Sequence, residues 1–193
     1  MTATFLETVR FMRDRVPAWD RYPFHLPMLR DLEDLPLHPK VTYFIGENGS
    51  GKSTLLEAIA VAEGFNPEGG SRNFQFATRE THSELWECLR LVRGRNLLKH
   101  SDGWFLRAES FYNVATEIDA LGVAPGYGVE SLHQVSHGES FFALLMDRFR
   151  GNGLYLLDEP ESALSPKRQL SFLTRLHDLV GLGSQFLLSL IHI

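Results

Sequence analysis

The chain changes hydrophobic period several times, and each change marks an element. Phe5-Leu6-Glu7-Thr8-Val9-Arg10-Phe11-Met12 predicts a strand. After a break at Pro17, Tyr22–Leu29 reads as further extended, turn-broken chain, with Pro36 and Pro39 as punctuation. Val41–Ile45 is a β-branched and aromatic run, and Ser53–Ala60 has the i, i+3, i+4 apolar spacing of a helix that Gly64 can stop. A glycine- and asparagine-rich stretch from Gly64 to Gly70 leads to a short alternating strand, Asn73–Thr78. A helix is expected from Ser83, as N-cap, to about Val92. Gly103–Ala108 reads as a strand, Phe111–Leu121 as a helix and Gly122–Gly128 as a surface loop. Gln134–Leu145 is a polar turn opening an amphipathic helix, and Gly153–Asp158 is a fully apolar strand ending in an acid. Pro166–Leu179, capped by Ser165, predicts a helix before a last strand begins at Ser184. There is no internal repeat and no low-complexity tract.

The strand–helix junction at residues 46–54 carries the clearest chemistry. Gly46-Glu47-Asn48-Gly49-Ser50-Gly51-Lys52-Ser53-Thr54 is a P-loop, or Walker A segment. Its glycines let successive backbone N–H groups turn onto a phosphate, Lys52 adds a point charge at the β- and γ-phosphates, and the Ser53 hydroxyl can ligate Mg²⁺. Some ~100 residues downstream, Leu154–Glu159 has the form of a Walker B segment. There Asp158 is expected to hold Mg²⁺ and Glu159 to orient or deprotonate an attacking water. The catalytic candidates are therefore Glu159 and Lys52, and the metal candidates Ser53 and Asp158.

Bulk properties narrow the class. The 193 residues, 44% hydrophobic and 22% charged, suit one domain with a real core. No apolar run suggests a membrane span, and Met1–Glu7 lacks the pattern of a secretory signal. One cysteine, Cys88, cannot build a disulfide framework, so a cytoplasmic setting is expected. A net charge of −5 gives no global attraction to nucleic acid. The histidines show no metal-ligand spacing, so no structural zinc is expected.

Between the two Walker segments lies Ser136-His137-Gly138-Glu139, followed after Walker B by Ser162-Ala163-Leu164-Ser165. By itself the first of these is capping chemistry, Ser136 with Glu139. In this order, however, the motifs make the chain resemble the ABC-class ATPases. Glu139, where transporters usually carry glutamine, makes it more similar to the soluble branch that includes chromosome-maintenance and DNA-repair ATPases, and to small bacterial ATPases of the AAA family. The resemblance implies an α/β P-loop NTPase three-layer fold, with a mostly parallel central sheet and an N-terminal antiparallel β subdomain. It also implies ATP and Mg²⁺ as ligands, and an ATP-dependent head-to-tail homodimer in which Ser136, Gly138 and Glu139 touch the γ-phosphate bound by the partner copy. A protein or nucleic-acid client is left open. The alternatives are the energy module of a transporter, a monomeric P-loop phosphotransferase and a non-hydrolysing ATP switch.

Several positions depart from the family pattern. His137 replaces a usual glycine, and Ser165 stands where aspartate is common. The glutamine expected after the 103–108 strand is missing, with Glu109 or Gln75 as substitutes. Arg72 and Arg107 are possible phosphate contacts, and Trp19 or Tyr22 a possible adenine stack. The last strand should end in a switch histidine, but His192 sits one residue late. Residues 188–193 can be encoded by a sequencing-library transposon end, so they are read as an assembly scar on a single ATPase domain whose C-terminus is incomplete.

Overall fold

Strand β7 (Gly153–Asp158) is buried at every position, as expected of a parallel strand covered on both faces. It lies at the centre of a five-stranded sheet of order β3-β8-β7-β6-β4, built from β3 (Val41–Gly46), β8 (Gln185–Ile191), β7, β6 (Asp102–Arg107) and β4 (Gly70–Ser71). The first four run parallel and β4 is antiparallel to β6. A second, antiparallel sheet of order β2-β1-β5 contains β1 (Leu6–Phe11), β2 (Asp34–Pro36) and β5 (Leu89–Arg93). This computed structural model describes residues 4–71, 83–94, 100–109 and 137–191, with Phe111 and Thr116.

Alternation along β7 builds two cores. Leu154 and Leu156 face one with Leu55, Leu56 and Ile59 of helix α2 (Lys52–Glu63) and with Leu6 and Val9 of the antiparallel sheet. Tyr155 and Leu157 face the other, with Phe141, Leu144 and Leu145 of α3 (His137–Asp147) and Phe172, Leu176 and Leu179 of α5 (Pro166–Gly181). The result is the three-layer α/β arrangement of a P-loop NTPase fold, with the antiparallel sheet beside α2. Among the described residues there are also two short helices, α1 (Pro27–Arg30) and α4 (Pro160–Ala163). Among the described residues, no helix is long and apolar enough to cross a membrane.

The two sheets are joined by one amide. Buried Gln185 accepts at Oε1 from the N–H groups of Phe5 (3.1 Å) and Leu6 (3.0 Å), and its Nε2 donates to the carbonyls of Leu6 (2.8 Å) and His38 (3.1 Å). All four hydrogen-bonding valences of the side chain are used, so β8 is locked to β1 with no buried polar atom of the amide left unpaired.

Three sequence expectations change. The helix expected over 83–92 is a 3-10 turn, Glu84–Cys88, running straight into β5. Leu85 and Cys88 bury one turn, whereas Leu89 to Arg93 pair with β1, and that tertiary pairing outweighs helical spacing. Residues 22–29 form turns and α1, with Pro27 at its first position, rather than extended chain. Ser165 precedes α5 as expected but makes no side-chain cap; the amide of Gln169 instead donates to the carbonyls of Glu161 and Leu164. Residues 188–191 continue β8. The expected strand 73–78 and loop 122–128 lie outside the described residues, as does almost all of the helix 111–121.

Candidate functional site

Strand register brings the chemistry to one edge. Gly46 lies opposite Ile191, Asp158 opposite Ser189, and Arg107 opposite Asp158, so the carboxyl ends of the four parallel strands meet where α2 begins. In open α/β sheets that edge is where ligands bind.

The loop after β3 is shaped by glycine. Gly49 and Gly51 have φ of +78° and +98°, which a side chain rarely tolerates. A Cβ on Gly51 would also sit 2.6 Å from Met28 Sδ, because α1 closes over the loop. Lys52, only 7% exposed, folds back so that Nζ donates to the carbonyls of Gly46 (2.7 Å) and Glu47 (2.9 Å). The loop thus carries its own cation beside the N–H groups that open α2, a combination that favours an anion.

Asp158, 3% exposed, has both carboxylate oxygens engaged. Oδ2 accepts from Arg107 Nε at 2.9 Å, and Oδ1 accepts from the Ser189 hydroxyl. Arg107 Nη2 also donates to Glu57 Oε2 at 2.8 Å, so one guanidinium bridges β7 and α2. Burial disfavours the charged guanidinium, but the carboxylates of Asp158 and Glu57 outweigh it and its pKa is raised. Glu159 adopts a left-handed backbone, φ +50°, uncommon for a residue with a side chain. Its pKa is raised by burial first, then by the charge of Asp158, while Lys52 pulls the other way.

Two adjoining cavities collect these groups. One of about 220 Å³ is lined by Ser53, Glu57, Arg107, Asp158 and others; one of about 450 Å³ is lined by Asn48, Gly49, Gly51, Lys52 and others. Tyr22, Ser53, Thr54, Glu109 and Glu159 line both. The Tyr22 hydroxyl is 2.9 Å from Thr54 Oγ1, whereas Trp19 packs edge-on against Phe11 and under the Arg13 guanidinium. Of the two aromatic candidates, Tyr22 is therefore the one at the cavities. Glu109 is also there, while Gln75 and Arg72 lie outside the described residues.

The donor set fits Mg²⁺. The Ser53 hydroxyl and the Asp158 carboxylate share a cavity and are hard oxygen ligands. Among the described residues no cluster of three or more His, Cys, Asp or Glu forms a protein-only metal cage. Mg²⁺ does not need one, since it is usually held by one or two protein oxygens together with substrate phosphates.

The third motif lies elsewhere. Gly138 and Glu139 open α3 and line neither cavity. A Cβ on Gly138 would come 2.6 Å from the Ala163 carbonyl oxygen, so the glycine permits α3 to pack on the backbone of α4. Glu139 pairs with Arg168 at 3.0 Å, an exposed bridge of small energetic weight. Ser136 lies outside the described residues, as do His192 and the side chain of His137.

One cavity residue, Glu57, escaped the sequence reading, and one, Arg107, was given a different partner. Glu57 is one helical turn after Ser53, and that i, i+4 spacing places it at the same mouth. Arg107 was one of two possible phosphate contacts, and its pairing with Asp158 emerges only from the β6–β7 register.

A family model described as an AAA domain matches residues 24–101, the part containing α1, β3 and α2. The chain is also 27% identical over 183 residues to ABC transporter G family member STR2 of Medicago truncatula, covering 84% of this chain and 25% of that protein. The chain thus spans about a quarter of the length of that relative. No solved structure matches. Both similarities support an ATPase family, and ATP binding with it.

Proposed function

We propose that this chain is an Mg-ATP-hydrolysing domain of the soluble ABC type, working as an ATP-dependent head-to-tail dimer. The observation that carries the reading is convergence. Ser53 of the P-loop and the acid Glu159, distant in sequence, line both adjoining cavities, with Lys52 in the wall of the larger and Asp158 in the wall of the smaller.

The residues divide the work by chemistry. N–H groups of residues 49–54 and the Lys52 ammonium receive the phosphates, with Lys52 exchanging loop carbonyls for phosphate oxygens. Ser53 and Asp158 would hold Mg²⁺, which when bound supplies charge neutralisation at the β- and γ-phosphates. Glu159 takes the proton of a water whose oxygen bonds to the γ-phosphorus. The bond from that phosphorus to the bridging oxygen breaks, leaving ADP and inorganic phosphate. A raised carboxyl pKa is a stronger base once ionised, which suits this task.

The position of Gly138 and Glu139, away from the cavities of their own chain, supports a role across a dimer. The test is the solution mass of Glu159→Gln protein with and without Mg-ATP. Doubling only with Mg-ATP is expected; a monomer that binds ATP would leave Gly138 and Glu139 with helix packing alone. A second reading, the energy module of a transporter, is favoured by the likeness to the Medicago truncatula protein. It requires a membrane partner for activity, so sustained hydrolysis by the isolated chain argues against it.

A further inference from the structure

We propose that Arg107 is a resident competitor of the divalent cation at Asp158, setting how much cation the site needs; this rests on the reading of the site as an ATP site. The Asp158 oxygen that meets Arg107 Nε at 2.9 Å is one of only two through which the carboxylate can hold a metal, directly or through water, and the other accepts from Ser189. Metal binding at Oδ2 therefore competes with an existing charge-assisted hydrogen bond.

Geometry makes Arg107 suited to the exchange. It lies directly across the β6–β7 register from Asp158, so contact is renewed without backbone movement. Its second carboxylate, Glu57, belongs to α2 rather than to β7. On release from Asp158 the guanidinium keeps this anchor and its place in the cavity wall, 19% exposed. A planar fork can serve both acids at once, which a lysine ammonium does less well. The cavity also holds Glu109 and Glu159, so once the guanidinium leaves Asp158 while keeping Glu57, three acids face an incoming cation. Arg107 is thus a positioning residue that acts through Asp158.

A purely structural fork, joining α2 to the sheet, predicts something different: lower stability in Arg107 variants with unchanged cation affinity. The discriminating measurement is Mn²⁺ binding by electron paramagnetic resonance, on the full chain without nucleotide, comparing the unsubstituted protein with Arg107→Gln and Arg107→Lys. Circular dichroism establishes that each variant is folded. A hydrogen bond to a charged group has to be broken in the unsubstituted protein, so Arg107→Gln should bind Mn²⁺ roughly ten-fold more tightly. Arg107→Lys should fall between, and it is the reporting variant if Arg107→Gln does not fold. The same order should appear in the Mg²⁺ concentration needed to half-saturate binding of a fluorescent ADP analogue. Folded variants with the cation affinity of the unsubstituted protein would overturn the proposal. A Mn²⁺ shift in a protein that binds no nucleotide would instead sink the ATP reading while leaving the competition at Asp158 intact.

Discussion

Lys52 and Gly46 close the glycine loop after β3 on itself: the lysine ammonium donates to the glycine carbonyl at 2.7 Å, and to the neighbouring Glu47 carbonyl at 2.9 Å. The ammonium is held in place, so phosphate can exchange with carbonyl oxygens already at hydrogen-bond distance. Lys52→Met should weaken ATP binding by about 10- to 100-fold, the range expected when a charge-assisted contact is lost. Isothermal titration with ATP measures this, and affinity within a factor of two of the unsubstituted protein would remove Lys52 from the site.

Gly138 offers a test that separates packing from contact across a dimer. Alanine there would drive Cβ to 2.6 Å from a backbone oxygen of Ala163, which cannot swing aside as a side chain could. Gly138→Ala should lower stability by about 1–3 kcal/mol, the usual cost of overpacking. Urea denaturation without nucleotide reads this directly. Unchanged stability would mean that α3 and α4 are looser than their contact indicates.

Gln185 should be among the least replaceable polar residues of the chain. Gln185→Leu would strand the N–H groups of Phe5 and Leu6 in a buried setting, with a cost of about 2–4 kcal/mol. Hydrogen exchange adds a finer check, since those two amides should lose their protection in the variant.

Tyr155 gives stability an alkaline limit. Its buried phenol lies between Asp102 Oδ2, at 2.7 Å, and the Arg150 carbonyl, and its pKa is raised by burial first and then by its hydrogen bond to Asp102. The folded chain thus keeps the proton better than the unfolded chain. This contribution is complete below the ordinary tyrosine value of about 10 and is lost as pH rises from there towards the raised folded value. Tyr155→Phe should cost about 1 kcal/mol near neutral pH, and the gap to the unsubstituted protein should narrow by about pH 11. Denaturant melts at the two pH values check it; a gap that widens with pH would contradict the assignment.

What was legible in the sequence was whatever depended on neighbours along the chain. Val41–Gly46 and Gly153–Asp158 are apolar runs ended by a glycine loop and by an acid, and α2 begins at Lys52 as the motif requires. Residues 89–93 were misread because their strand exists only through pairing with β1, far away in sequence. Arg107 was likewise ambiguous: nothing near it says whether it meets a phosphate or a carboxylate until β6 and β7 are set in register. Gln185 gave no signal, because a polar residue at a strand end is ordinary unless its four partners are known.

The central claim is that Glu159 performs the chemistry on ATP held by the P-loop. The most direct test is single-turnover hydrolysis of radiolabelled ATP by the unsubstituted chain and by Glu159→Gln, with binding measured in parallel. The account predicts ATP affinity within a few-fold for both and hydrolysis at least about 100-fold slower in the variant, the usual contribution of a general base. Equal hydrolysis rates, or no ATP binding by the unsubstituted chain, would contradict it.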